Sequence, residues 1–339
     1  MVPGQRIDRK QDMVSTERAI ESVLLTGATG FVGRAVVREL LARGMRPVCL
    51  VRSAGKLLAQ HLDVESDRIT AVAGGLSDRA ALARAAGECQ AAIHLVGIIL
   101  ARPLRGQTFQ RVHVSGTRNV IEAAQGAGIR RYVHMSALGA RADAVSAYHQ
   151  TKWAAEELVR GSGLDWTMFR PSLIHGPDGE FMRLMKAFTC GLVPPVVPYF
   201  GTGQGTLQPV SVKDVAYCFV ESLFRPETVG KIFPLGGPKV YTWLQLYEAC
   251  RRIMPGAKRW KPYASLPPAL AKFVAVAQTP VMAAAEMIVP KLGMFRFDAG
   301  QVQMSQEAST CDGGVAEQAF GIKMRAFEEE LAGYAEQIR

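Results

Sequence analysis

The sequence predicts an α/β fold: a doubly wound parallel sheet with a smaller, mostly helical C-terminal substrate lobe. Three observations predict it. Short β-branched and aliphatic runs alternate with helical patterns through the first half of the chain. A glycine-rich segment, Gly27-Ala28-Thr29-Gly30-Phe31-Val32-Gly33, falls between the first such run and the first helical pattern. After Pro171 the alternation gives way to Pro- and Gly-rich sequence and then to helical patterns.

The elements follow in order. Val23-Leu24-Leu25 reads as a buried strand. Val32, Val36, Val37, Leu40 and Leu41 then fall at helical spacing, and Gly44 closes that helix. Further strands are expected over 47–51, 69–73, 91–96, 132–135 and 166–169. Helices are expected after Asp78, over 108–127 and over 148–160. Such alternation gives parallel strands with helices on both faces, because each crossover is right-handed. The segment 191–205 reads as loop, 210–224 as a strand and helix, and the chain from Pro238 onward as helical. The expected organisation is a polar tail at 1–20, a nucleotide-binding domain at 21–178, and a substrate or lid lobe at 179–339. Residues 207–224 return to the first domain.

Composition narrows the function classes. The chain has 339 residues, 48% of them hydrophobic and 21% charged, which is a globular rather than a disordered composition. A net charge of +10 favours anionic partners such as nucleotides or an acidic lipid surface. The basic residues are spread along the chain and no nucleic-acid module is present, so no nucleic-acid partner is expected. Six cysteines and six histidines are scattered without ligand spacing, so free thiols in a reducing cytoplasm are expected, with no disulfide and no metal site. The first 21 residues lack the apolar core of a signal peptide. The most apolar stretch, 264–295, is interrupted by Lys272, Gln278, Pro280 and Glu286, so no membrane span is expected. The expected location is cytoplasmic, with peripheral attachment to the inner face of a membrane as the alternative.

The glycine-rich segment sits where a phosphate loop belongs. Gly27 permits a tight turn, Gly30 lets the backbone approach a pyrophosphate, and Gly33 lets the helix pack against the strand. The helix start at Phe31 and Val32, with Thr29 before it, offers unpaired N–H groups and a positive dipole end. The second strand ends in Leu50-Val51-Arg52-Ser53, with no acidic residue to bind a ribose 2′-hydroxyl. Arg52, assisted by Lys56, suits a 2′-phosphate, so NADP(H) is preferred and NAD(H) is the alternative.

Tyr148 and Lys152 are spaced i, i+4 on a helix and so share one face. A free tyrosine titrates near 10, and an adjacent ammonium lowers that value. Ser136 follows the fifth strand, twelve residues before Tyr148, and is expected to hold a substrate carbonyl. Ser136, Tyr148 and Lys152 are thus the catalytic candidates, for hydride transfer with Tyr148 as proton donor or acceptor.

These features resemble the short-chain dehydrogenase/reductase superfamily, in its extended and atypical branches. The resemblance rests on residues 26–33, on Gly116-Thr117, on Arg170-Pro171-Ser172, on His175-Gly176-Pro177 and on the run from Pro209 to Ala216. It implies a Rossmann fold and an NAD(P) site completed by Leu76, Val96, Gly97, Pro171, Ser172 and the Tyr148–Lys152 pair. Within that group the chain is similar to bacterial relatives of the NADPH-binding accessory subunit of respiratory complex I. His94 to Ile99, Tyr148 to Lys152 and Trp243 to Tyr263 carry this similarity. Two departures stand out. The third strand lacks the usual acidic residue before Leu76, leaving Asp78 as a substitute. His113 stands where the central helix often carries Asn, either replacing it or simply packing.

Arg251, Arg252, Lys258, Arg259 and Lys261 precede the apolar stretch 266–294. Such a pairing suits either a membrane or protein partner, or a lid with a solvated basic rim. Met282, Met287 and Met294 are candidates to line an apolar pocket. Trp153, Trp166 and Phe169 are expected in the core or beside the cofactor. The resulting expectation is an NADP(H)-dependent oxidoreductase or epimerase acting on a small carbonyl, hydroxyl or quinone-like compound. The alternative is a non-turnover, NADPH-binding structural subunit of a respiratory NADH:quinone oxidoreductase-like complex.

Overall fold

The computed structural model of the chain describes residues 19–60, 66–275 and 297–338. Most of the expected N-terminal tail, and the candidates Met282, Met287 and Met294, lie outside the described residues.

Seven strands form the central sheet: β1 (Ser22–Thr26), β2 (Arg46–Val51), β3 (Thr70–Ala73), β4 (Ala91–His94), β5 (Arg131–Met135), β6 (Asp165–Pro171) and β7 (Lys231–Leu235). Their order is β7-β6-β5-β4-β1-β2-β3, and every pairing is parallel. This is the Rossmann arrangement. The chain runs outward in one direction from β1 through β3 and in the other from β4 onward. The crevice at the C-terminal ends of β1 and β4 is therefore where a ligand fits.

Alternation along the strands builds two cores. Val23 and Leu25 of β1, with Cys49, Ile93 and Val133, face α1 (Phe31–Ala42) on one side of the sheet. Leu24, Val48, Leu50, Ala92 and Tyr132 face the other side. There α3 (Arg79–Ala86), α4 (Gly116–Gly126) and α5 (Ala147–Arg160) cover them. The short helix α2 (Ala54–Ala59) follows β2. A third cluster joins α6 (Glu180–Cys190) to later helices through Met182, Met185, Leu246, Tyr247 and Phe327.

Four features depart from the sequence expectations. The helix expected over 108–127 opens with a π-helical turn, Gln110–Ser115, before α4. Gly116 permits the close contact there, since a Cβ on it would lie 2.6 Å from Leu76 Cδ1. The seventh strand carries Pro234 and still joins the sheet, because it lies at the edge where a missing N–H is tolerated. A parallel pair joins Val197–Phe200 to Tyr263–Leu266, within segments that read as loop and helix. Thr206–Leu207 also pairs with Tyr241–Thr242.

The first core reaches far along the chain. It takes in α7 (Val212–Glu221), β7 and residues of 314–324. Phe169 of β6 is fully buried at its centre, with the rings of Phe219, Phe320 and Phe233 at 4.5, 5.5 and 5.9 Å. Phe169→Ala is expected to destabilise the fold by about 3–5 kcal/mol, read from urea denaturation, because a rigid aromatic nest closes poorly around the cavity.

Candidate active site

The loop after β1 is shaped by what its glycines lack. Gly27 has φ +85°, in the left-handed region that favours glycine. A Cβ on Gly33 would lie 2.0 Å from the Gly27 carbonyl oxygen, so only glycine lets α1 approach β1 this closely. Gly30 caps α1 without a side-chain hydrogen bond, and the first turn holds no acidic residue. Its open N–H groups form a cradle for an anion. The ring of Phe31 packs over Gly176 and Gly179, Val32 is buried, and the Thr29 carbonyl meets the Gln60 amide.

Arg52 lies just past β2, exposed and without a partner among the described residues. Lys56 stands in the first turn of α2, which Ser53 caps. Leu76 backs onto Gly116, and its carbonyl accepts from Asn119 at 2.8 Å. Asp78 caps α3 with one carboxylate oxygen, Oδ1 accepting from Ala81 N at 2.9 Å.

The loop and the catalytic candidates meet through β4. A Cβ on Gly27 would touch Leu95 and Val96, and one on Gly97 would lie 3.3 Å from Lys152 Nζ. Lys152 is buried on α5, and its ammonium donates to the Met135 carbonyl at 2.6 Å. Burial pulls it down to about 8, with Glu156 opposing that fall. It therefore stays charged at neutral pH.

Tyr148, one turn earlier, packs edge-on against Phe109 and His113. Burial pushes its hydroxyl up to about 12, the opposite of the lowering expected from the sequence. The Lys152 ammonium is held on a backbone carbonyl, and desolvation of the phenol dominates. A cavity of about 410 Å³ opens beside Tyr148. Phe109, Ser146 and Ile99 line it from the sheet side, and Lys272, Asp298 and Met304 from the lobe, where α8 (Ala299–Met304) begins. A second hollow, of about 320 Å³, runs between α3 and α4, lined from Arg79 to Gly87 and from Asn119 to Ala127.

Ser136 does not line that cavity. Its hydroxyl donates to Glu156 Oε1 at 2.5 Å. Glu156 is 0% exposed and also accepts two bonds from Arg170, at 2.8 and 2.7 Å, and one from Arg160 at 2.7 Å. The sequence reading missed this network. Its signal was present: Glu156 lies four residues after Lys152, on the same face of α5. Trp153 lies under the Arg160 and Arg170 guanidinium groups, at 4.6 and 5.8 Å.

Pro171 is buried, and the Ser172 hydroxyl donates to the Ser309 carbonyl at 2.7 Å, tying β6 to the C-terminal segment. His113 is buried; its Nε2 accepts from Ile98 N at 3.1 Å and its Nδ1 pairs with Thr151 Oγ1 at 2.9 Å. His94 likewise pairs with Thr26 and Thr117. The basic cluster before the apolar stretch is partly consumed. Lys261 is buried against the carbonyls ending α6, Arg251 stacks on Tyr263, and Arg252 pairs with Glu328. All six cysteines are free thiols. Among the described residues no helix is long and apolar enough to cross a membrane.

Residues 27–226 match the family described as NAD(P)H-binding. The chain belongs to that family. It is 35% identical over 238 residues to a ceramide reductase of Caulobacter vibrioides, covering 70% of this chain and 71% of that protein. It is 27% identical over 276 residues to NADH dehydrogenase [ubiquinone] 1 alpha subcomplex subunit 9 of Arabidopsis thaliana, covering 80% of this chain and 67% of that protein. In fold it matches a dTDP-glucose 4,6-dehydratase of Streptomyces venezuelae, solved with NAD bound. The TM-score is 0.69 at 22% identity, over 93% of this chain and 96% of that one. The resemblance to complex I subunits thus holds in sequence, and that to the short-chain dehydrogenase/reductase superfamily holds in fold.

The buried imidazoles of this NAD(P)H-binding protein make its stability acid-sensitive. Burial pushes His94 and His113 down to about 3 and His175 to about 4. The native rings stay neutral while the unfolded ones take up protons near 6.5. Stability is therefore present above that pH and lost as pH falls below it, by about 1.4 kcal/mol per pH unit for each ring. Urea denaturation from pH 7 to 4.5 is expected to show this decline, shallower by one ring in His113→Gln.

Proposed function

We propose that the protein is an NADP(H)-dependent oxidoreductase acting on a carbonyl or hydroxyl compound, with Tyr148 as the proton-transfer group. The observation that carries this reading is the Tyr148–Lys152 pair on one face of α5, beside a cavity of about 410 Å³ and next to the phosphate loop. That volume suits a small ligand. The relative named ceramide reductase supports reduction as the direction. In this reading residues 21–178 hold the nucleotide and the lobe from 179 onward covers the substrate.

The glycine cradle at Gly27, Thr29, Gly30, Phe31, Val32 and Gly33 fits a pyrophosphate, and Leu76, Val96, Gly97, Pro171 and Ser172 flank the rest of the cofactor. Arg52 and Lys56 suit a 2′-phosphate. When bound, the nicotinamide supplies or takes up a hydride. Tyr148 gives its proton to the carbonyl oxygen in the reductive direction and recovers it in the oxidative one. The Lys152 ammonium stabilises the phenolate left behind.

Tyr148→Phe is expected to abolish NADPH oxidation across a panel of carbonyls and quinones while leaving NADPH binding intact. Activity that survives the change refutes Tyr148 as the proton donor. Arg52→Glu is expected to weaken NADPH by about tenfold or more relative to NADH, followed by fluorescence titration. An unchanged ratio removes Arg52 from the site.

A second reading is favoured by one observation: burial pushes the Tyr148 hydroxyl up to about 12, away from ready proton transfer. Together with the relative named as an NADH dehydrogenase subunit, this supports a nucleotide-loaded structural subunit, peripheral on the inner face of a membrane. Mass spectrometry of the co-purifying nucleotide separates the readings. Tightly retained NADP(H) that no carbonyl oxidises favours the subunit; rapid exchange with turnover favours the enzyme.

A further inference from the structure

We propose that Ser146, rather than Ser136, is the hydroxyl that donates a hydrogen bond to the substrate oxygen beside Tyr148. The proposal rests on the oxidoreductase reading and names a catalytic residue within that site.

Hydrogen-bond bookkeeping at the two serines carries it. The Ser136 proton is committed to Glu156, a fully buried carboxylate. Both oxygens of that carboxylate are doubly engaged, Oε1 by Ser136 and Arg170, Oε2 by Arg170 and Arg160. Turning the Ser136 proton toward a substrate would leave a buried carboxylate short of a donor, which is strongly unfavourable. Ser136 also lies outside the cavity lining. Its place in the fold is to tie the end of β5 to α5.

Ser146 has the opposite arrangement. It lines the cavity together with Tyr148 and is 2% exposed. Its oxygen accepts the His149 N–H at 3.2 Å as the cap of α5. A hydroxyl that accepts still has its own proton to donate, and Ser146 donates no hydrogen bond to any of the described residues. The cap bond fixes the side chain, so the donor is positioned before substrate arrives. The N-terminus of α5 adds a positive dipole end beside the oxygen that gathers charge. Ser146 keeps its proton throughout; the proton that moves to the substrate oxygen is that of Tyr148.

The spacing rule that selected Ser136 looks only for a serine about a dozen residues before the tyrosine. It cannot see which way the hydroxyl points. Here the partner that decides this, Glu156, lies twenty residues further on.

The test uses acetophenone labelled with carbon-13 at the carbonyl and the full chain saturated with NADP+, a combination that cannot turn over. A donated hydrogen bond moves the bound carbonyl resonance downfield of the free ketone. The wild type and Ser146→Thr are expected to show that shift. Ser146→Ala and Ser146→Asp are expected to lose most of it; the aspartate preserves the cap but has no proton to give at neutral pH. Equal thermal melting of Ser146→Asp and wild type confirms that the fold is retained. With NADPH and menadione, the rate in Ser146→Asp is expected to fall about 100-fold, as for loss of one oxyanion donor. A bound resonance unmoved by the Ser146 changes, or one lost in Ser136→Ala instead, overturns the assignment and leaves the oxidoreductase reading standing. A wild type that binds no ketone and oxidises no NADPH overturns both.

Discussion

The closeness of α1 to the end of β1 is the constraint on which the rest depends. The Gly27 carbonyl oxygen occupies the space where a Gly33 side chain would begin, so helix and strand meet backbone to backbone. That contact aims the uncapped first turn of α1 into the crevice between β1 and β4. It also sets the floor of the crevice, since Leu95 and Val96 lie against Gly27 and Gly97 lies against Lys152. One steric condition thereby links the uncapped first turn of α1 to the face of α5 that carries Tyr148 and Lys152.

The second organising element is the buried face of α5. Lys152 and Glu156 stand one turn apart, each deeply buried, and each is satisfied by a different part of the sheet. Lys152 donates to the carbonyl ending β5, while Glu156 gathers Arg170 from β6, Arg160 from its own helix and the Ser136 hydroxyl. Such a network is demanding: each removed partner strands a buried charge. Its return is a fixed orientation of α5 against β5 and β6, and so a fixed position for Tyr148. The π-helical turn holding His113 completes this wall, with His113 bonded to Ile98 and Thr151 rather than open to the cavity. Irregular helical turns of this kind concentrate at functional sites.

Much of this was legible along the chain, because the signals are local. The period-two and period-3.6 patterns found β1, α1, β2, β5 and α5, and the glycines marked the cradle. Elements were missed where a distant partner decides the outcome. Lys231–Leu235 contains Pro234 and reads poorly as a strand, yet it pairs with β6 at the sheet edge. Val197–Phe200 reads as loop and becomes a strand through Tyr263–Leu266.

The sequence by itself determined the Rossmann class, the glycine-rich turn from β1 into α1, and the placing of Tyr148 and Lys152 one turn apart on α5. These depend on residue type, glycine sterics and helical spacing within a few residues of each other. Only the tertiary structure decided the direction of the Ser136 proton, the desolvation that raises Tyr148, and the roof of the cavity from 298–304. Each of these depends on groups brought together from far along the chain. The energy of a buried hydroxyl or phenol is set by the atoms around it, which sequence spacing does not specify.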